Sequence, residues 1–162
     1  MVAAGLTGVY AETIPNFELL TLIMFCAGVL LGVRDGMLVA AVTELIYSLL
    51  NPYGAVHPLV TVSQVLGMMA AGLAGGLAAR VGLPNLPAGF RAASLIGIAA
   101  AVTIFFDLIT NLATAVIFGQ LVPTLIGGVP FALWHLFWNI VLFAILGTPL
   151  VVVFSRYRAR LS

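Results

Sequence analysis

The sequence predicts an all-α protein, a polytopic bundle of membrane-spanning helices. Hydrophobic residues make up 63% of the 162 residues and charged residues only 7%, whereas soluble domains carry roughly a quarter charged residues. The mean hydropathy is +1.24. Long apolar segments alternate with short breaks rich in proline, glycine and charge, and each of them approaches the roughly 20 residues that cross a bilayer. These observations leave little chain for a soluble domain.

The breaks predict five full spans and one partial span in a single transmembrane domain, residues 1–162. The partial span is the first, residues 1–14, because about 14 helical residues cover only about 21 Å. The five full spans cover residues 17–33, 36–50, 60–79, 92–122 and 131–154. We therefore expect a six-helix bundle whose first helix is short or truncated.

The basic residues predict the orientation of the bundle. All six are arginines: Arg34, Arg80, Arg91, Arg156, Arg158 and Arg160. If the C-terminus is cytoplasmic, alternating spans put every arginine on the cytoplasmic side, as the positive-inside rule requires. The connections at 12–16, 51–58 and 120–130 then face outward. A chain starting in the cytoplasm needs a complete crossing before residue 17, so either the N-terminus is outside or the natural start lies upstream of Met1.

The fourth span carries small residues at helical spacing. They are Gly67, Ala71, Gly75 and Ala79, with Gly72 and Gly76 one position on. Small residues let helix backbones approach closely, which favours helix association in lipid. The stripe predicts either packing inside the bundle or a docking surface for another subunit.

Polar side chains form one stripe on each of three spans. The stripes are Glu44, Tyr47, Ser48 and Asn51; Thr103, Asp107, Thr110, Asn111 and Thr114; and His135, Trp138 and Asn139. Offsets of three, four and seven residues place each set on one helix face. Because a carboxylate at a helix centre costs about 2.5 to 3.5 kcal/mol on insertion scales, we expect Glu44 and Asp107 to face the interior. Interhelical hydrogen bonding and a ligand pocket both remain open.

Motifs for catalysis and for metal or nucleotide binding are missing from the sequence. It has no nucleophile with a base at motif spacing and no dinucleotide fingerprint, and "GLAGGLAAR" lacks the Lys and Ser/Thr of a phosphate loop. Cys26 is the single cysteine, and two histidines without clustered carboxylates make a poor metal site. We predict no enzyme, no metal, no cofactor and no nucleic-acid partner.

The stretch from Ile14 to Leu77 resembles the substrate-binding S component of energy-coupling factor (ECF) transporters. The resemblance consists of a Pro-Asn that opens the second helix, a Gly-rich turn into the third, an outward "NPYG" connection, and a Gln followed by a Gly/Ala-rich fourth helix. The later "FFDLITNLATAVIFG" and "PFALWHLFWNIVLFAILG" are similar to the fifth and sixth helices of such proteins. Nearly the whole chain is covered.

The resemblance implies a multi-pass protein of the bacterial cytoplasmic membrane that binds a water-soluble vitamin or related micronutrient near its outer face. Family members dock on a transmembrane coupling subunit that two cytoplasmic ATPases drive. A vitamin needs rings to stack on and a few fixed hydrogen-bond partners in a mostly apolar pocket. The candidate binding residues are Asn51, Tyr53, His57, Gln64, Asp107, Asn111, Trp134, His135, Trp138 and Asn139.

In one respect the chain departs from the family. Members dock partly through an Ala-x-x-x-Ala motif on the first helix, and here only Ala4 with Gly8, or Ala71 with Gly75 on another helix, offers a comparable pair. The outward loops, with Gly54 and the pair Gly127 and Gly128 as hinges, are expected to close over the ligand.

Two other functions fit the composition. A structural subunit of a membrane assembly, such as a scaffold resembling the rod-shape protein MreD, would have polar stripes that saturate one another and no outward cavity. An intramembrane enzyme or ion-coupled carrier would need Glu44 and Asp107 to meet at one hydrated site.

Overall fold

The computed structural model describes residues 1–10, 18–50 and 56–161. All regular elements in these ranges are helical, which confirms the predicted all-α class. They are α1 (Val2–Tyr10), α2 (Leu20–Leu31), α3 (Val33–Leu49), α4 (Pro58–Arg80), α5 (Ala88–Phe118), α6 (Leu121–Leu142) and α7 (Thr148–Leu161). A 3-10 turn, Leu83–Asn85, lies between α4 and α5, and a π-helical turn, Phe143–Gly147, joins α6 to α7.

Three helices in the described part of the chain are long and apolar enough to cross a membrane. They are Pro58–Arg80, Ala88–Phe118 and the continuous helix Leu121–Arg160, and Leu20–Leu31 is a shorter apolar helix. These helices fit a membrane-embedded bundle, as the composition predicts. At 1.5 Å per residue, the 12 residues of α2 cover only about 18 Å, so α2 is much shorter than the predicted span 17–33.

The sixth span begins earlier than the sequence predicts. Residues 120–130 were expected to form a connection, yet α6 starts at Leu121 and contains Pro130 in its interior. Pro123 lies in the first turn, where its missing N–H needs no helical acceptor. A Cβ on Gly128 would collide with the side chain of Asn111, so this glycine lets α6 pack closely along α5. The expected hinge therefore lies inside a helix.

The π-helical turn ends two residues before Pro149, the second residue of α7. Proline lacks an N–H group, and its ring clashes with the carbonyl of the preceding helical turn. A single π turn changes the local register, which allows the helix to continue past Pro149 toward the arginines at its C-terminal end.

Helices α2, α3 and α4 pack with their main chains in contact along a glycine seam, which consists of Gly28, Gly36, Gly72, Gly75 and Gly76. A Cβ on Gly36 would lie 2.5 Å from the Cα of Gly28, and one on Gly72 would lie 2.6 Å from the carbonyl oxygen of Gly36. Cβ atoms on Gly28 and Gly75 would collide with the carbonyl oxygens of Gly72 and Phe25. The small-residue stripe of the fourth span thus packs inside the bundle.

The arginines gather at one end of the bundle. Arg158 at the end of α7 donates to the carbonyl of Val29 near the end of α2, at 3.3 Å. Arg91 at the start of α5 donates to the carbonyls of Pro84 and Leu86, at 2.8 and 3.0 Å. Arg80 ends α4 at this same end. The chain therefore has a basic end, as the alternation of spans predicts, while the side of the membrane that it faces stays a prediction.

Candidate functional site

The imidazole of His135 lies between two carboxylates from different helices. Its Nδ1 is 2.9 Å from Asp107 Oδ1, and its Nε2 is 3.7 Å from Glu18 Oε1. Asp107 and His135 are buried, with 4% and 7% of their surface exposed. These three residues, the carboxylate–histidine cluster, connect the start of α2 with the middle of α5 and α6. They lie in the half of the bundle away from the arginines.

Glu18 also caps α2. Its Oε2 accepts hydrogen bonds from the main-chain N–H groups of Leu20 and Thr21, and its Oε1 accepts one from the Thr21 hydroxyl at 2.9 Å. A carboxylate at a helix N-terminus is stabilised by the free N–H groups and the helix dipole there. The sequence analysis missed Glu18 as a site residue, although an acidic residue just after a Pro-Asn helix start is a known signal.

A second polar group connects α3 and α4. The Ser48 hydroxyl is 3.4 Å from Glu44 Oε1 and 3.1 Å from Gln64 Oε1, and its single hydrogen serves one of the two acceptors at a time. The predicted residue Gln64 therefore shares the Ser48 hydroxyl with Glu44 at the contact between α3 and α4.

Several buried polar atoms on α5 and α6 have no hydrogen-bond partner among residues 1–10, 18–50 and 56–161. They are Thr103 Oγ1, Asp107 Oδ2, and both Nδ2 and Oδ1 of Asn139. Thr103 and Asn139 are each 1% exposed. We call Thr103, Asp107 and Asn139 the unpaired set.

The register between the two helices puts Thr103 and Asn139 at the same depth in the bundle. Thr103 lies one turn before Asp107 on α5, and Asn139 lies one turn after His135 on α6. The two helices run antiparallel, and the contact between Asp107 and His135 fixes their register. One turn deeper into the bundle, α5 therefore presents Thr103 where α6 presents Asn139. Each buried polar atom left without a partner costs about 1–3 kcal/mol.

The predicted residue Asn111 occupies a different environment. Its Nδ2 donates to the carbonyl of Asp107 on its own helix at 2.8 Å. With Asp107 it lines a largely apolar groove of about 410 Å³ between α5 and α6, beside Leu108, Leu125 and Val129. Neither His135 nor Gln64 lines this groove. Asn111 thus shares this groove with Asp107 but not with His135.

Two of the predicted aromatic residues form a surface group. Trp134 is 45% exposed, its ring stacks on Phe137 at 5.7 Å, and it meets the ring of Trp138 edge to face at 5.6 Å. Exposed tryptophans on a membrane helix are typical of the interfacial aromatic belt. Trp138 is half-buried and borders Asn139 along the helix.

The remaining predicted residues lie in or near the outward connection before α4. His57 is exposed, and its Nδ1 accepts a hydrogen bond from the Leu59 N–H at 3.2 Å, so it caps α4. Asn51 and Tyr53 lie outside the described residues.

The acidic and histidine side chains do not form a metal centre in the part of the chain that the structure describes. Groups of three or more His, Cys, Asp or Glu side chains that could hold a metal ion are not found there. The arrangement can instead offer hydrogen-bond acceptors and negative charge to a molecule held between α5 and α6.

Comparison of the chain with protein-family models, curated proteins and solved structures finds no match.

Proposed function

We propose that the protein is the substrate-capture subunit of an ECF-type importer. It binds a water-soluble vitamin or related micronutrient inside the membrane and delivers it through a transmembrane coupling subunit driven by two separate ATPases. The resemblance of the sequence to S components supports this proposal. The observation that carries it is the unpaired set, because these buried polar atoms have the chemistry to hold a hydrophilic ligand.

The argument starts from the cost of polar groups in lipid. A membrane bundle has no water in its core, so polar atoms there are normally satisfied within the protein. Thr103 and Asn139 break this rule within the described residues. A ligand that enters from water and presents matching groups would supply the missing hydrogen bonds. Ligand sites commonly combine a mostly apolar wall with a few such polar groups.

A structural scaffold is the competing function, and part of the site fits it. The pairs Asp107 with His135 and Ser48 with Gln64 are interhelical contacts of the kind that fasten helices together. A scaffold, however, gains nothing from a buried amide with neither of its atoms paired. The state of Asn139 therefore favours ligand capture over a purely structural role.

The basic end supports the proposed direction of transport. If the arginines face the cytoplasm, the carboxylate–histidine cluster lies in the outer half of the membrane, where a ligand arrives from outside. Ala71 and Gly75 are buried inside the bundle, so this pair is not open for docking on the coupling subunit. Ala4 on α1 is exposed, so α1 offers the remaining small-residue pair, Ala4 with Gly8.

The test is native mass spectrometry of the protein purified from its own membranes in mild detergent. The wild type is expected to carry a bound small molecule. Thr103→Val, which has the same shape without the hydroxyl, should weaken binding about tenfold and so lower the occupancy, because losing one hydrogen bond to a buried ligand costs about 1.5 kcal/mol.

The matched control is Thr43→Val. Thr43 is also fully buried, but its hydroxyl donates to the carbonyl of Val39 on its own helix, so occupancy should not change. A wild type without any bound molecule, or equal occupancy in Thr103→Val, would contradict the proposal and favour the scaffold.

A further inference from the structure

We propose that the captured ligand is an organic cation that carries N–H donors next to a hydrogen-bond acceptor. This inference rests on the proposed function and specifies the substrate class for the same site. The charge balance around the site and the hydrogen-bonding pattern of the unpaired set carry it.

The charge balance favours a cation. Glu18 and Asp107 bring two carboxyl groups to His135, which is the one basic side chain that the structure describes beside them. The chain has no lysine, and its arginines lie at or near the opposite end. The imidazole can balance one carboxylate, and the N-terminus of α2 offers Glu18 only about half a charge. A positive ligand completes the balance.

The hydrogen-bonding pattern favours an organic molecule over a bare ion. Three of the unpaired atoms accept hydrogen bonds: Thr103 Oγ1, Asp107 Oδ2 and Asn139 Oδ1. The fourth, Asn139 Nδ2, can only donate. A sodium ion would satisfy the oxygens and leave Nδ2 without an acceptor. A protonated amino-heterocycle or an amidine beside a ring nitrogen or carbonyl carries both the N–H donors and the acceptor that these atoms lack.

The surroundings strengthen the attraction for a cation. The rings of Phe106 and Phe131 pack against the imidazole of His135, with centroids 5.8 and 6.2 Å away. Aromatic and lipid surroundings keep the local dielectric low, so a charge pair there is stronger than in water. The same surroundings reject an anion, which Asp107 Oδ2 would repel.

The test compares three molecules of the same shape and different charge: benzamidine (positive), benzamide (neutral) and benzoate (negative). Each is added to the purified protein in detergent at equal millimolar concentration, and the unfolding temperature is measured. Benzamidine is expected to raise this temperature by about 2 °C or more, and the other two are expected to leave it unchanged. A sodium chloride series at constant ionic strength, balanced with potassium chloride, should have no effect.

Two variants assign the benzamidine shift to the site. Asp107→Asn removes the charge, and Asn139→Leu removes the unpaired amide with little change of volume. The shift should be lost in both, and a shift that persists in both would place the binding elsewhere and overturn the inference. Should Asp107→Asn not fold, Asn139→Leu decides alone.

The remaining outcomes separate this inference from the proposed function. The inference of an organic cation is overturned if benzamidine gives no shift of the unfolding temperature. It is also overturned if benzamide or benzoate gives an equal or larger shift, or if sodium alone gives one. If native mass spectrometry finds a bound molecule that is neutral or anionic, ligand capture stands and the cation is wrong. If it finds none, the proposed function fails as well.

Discussion

The glycine seam and the contact between α5 and α6 are two solutions to helix packing in one bundle. Along the seam, main chain packs against main chain and no polar side chain takes part. For example, a Cβ on Gly76 would lie only 2.6 Å from the Cα of Val33. Between α5 and α6, buried polar side chains meet instead, and the unpaired set leaves several of their atoms without partners in the described chain. Along the seam, helices therefore pack without polar side chains.

This difference separates structure from function. Helices in lipid associate through close packing of small residues and through interhelical hydrogen bonds. The seam uses the first means fully, whereas the α5–α6 contact uses the second incompletely and at a free-energy cost. Polar groups kept at a cost, beside a seam that packs without them, support the proposed ligand site.

The largest effect is expected from breaking the seam. Gly75→Ala places a Cβ against the carbonyl oxygen of Phe25, which cannot move without shifting α2. We expect a loss of about 3 kcal/mol or more of folding free energy. The variant should then fail to elute as a single species in size-exclusion chromatography. Gly97→Ala is the control, because a Cβ on Gly97 has nothing within 4 Å. Equal yields for the two variants would show that the seam is not tightly packed.

The next largest effect concerns the pair of Asp107 and His135. His135→Leu removes the partner of a buried carboxylate and should destabilise the protein by about 3 kcal/mol, whereas the double variant His135→Leu with Asp107→Leu should recover most of the loss. Unfolding temperatures of the two single variants and the double variant test this. Additive losses would mean that the two side chains act independently and that the cluster is not a unit.

Removing an unpaired amide should have the opposite sign. Asn139→Leu deletes two buried polar atoms that lack partners in the described chain, so the ligand-free protein should be unchanged or more stable by about 1 kcal/mol. Denaturation of ligand-free samples in detergent measures this. A loss of 2 kcal/mol or more would show that Asn139 makes a structural bond.

The smallest effect tests how closely α6 follows α5. Gly128→Ala forces the side chain of Asn111 to move, and since that side chain is flexible the expected cost is about 1 kcal/mol. Gly127→Ala meets nothing within 4 Å and should be neutral or slightly stabilising. If both variants behave alike by thermal denaturation, Gly128 does not pack against Asn111.

The sequence predicts the fold class and one packing surface well. Composition alone indicates a helical membrane bundle, and the four-residue spacing of Gly67, Ala71 and Gly75 indicates a close helix contact. It does not predict the start of α6, because Pro123 and the pair Gly127 and Gly128 are typical of loops in water, whereas in this bundle they belong to a helix that packs along α5.

The site is only partly predictable. Periodicity places Asp107 and His135 on the polar faces of their helices, but it does not reveal which faces meet, since register between helices depends on tertiary packing. Glu18 escapes the sequence analysis because a helix-capping carboxylate and a site carboxylate look alike until the fold brings Glu18 near His135. Asn111 shares a face with Asp107 and yet bonds its own helix, which spacing alone does not distinguish.

An electron-density map of the protein purified without added ligand tests the central claim most directly. We predict density for a non-protein molecule within hydrogen-bonding distance of Thr103 Oγ1, Asp107 Oδ2 and the Asn139 amide. The account would be contradicted if these three side chains bonded directly to one another, to residues 11–17 or 51–55, or to ordered waters alone. The polar interior would then be complete without a ligand.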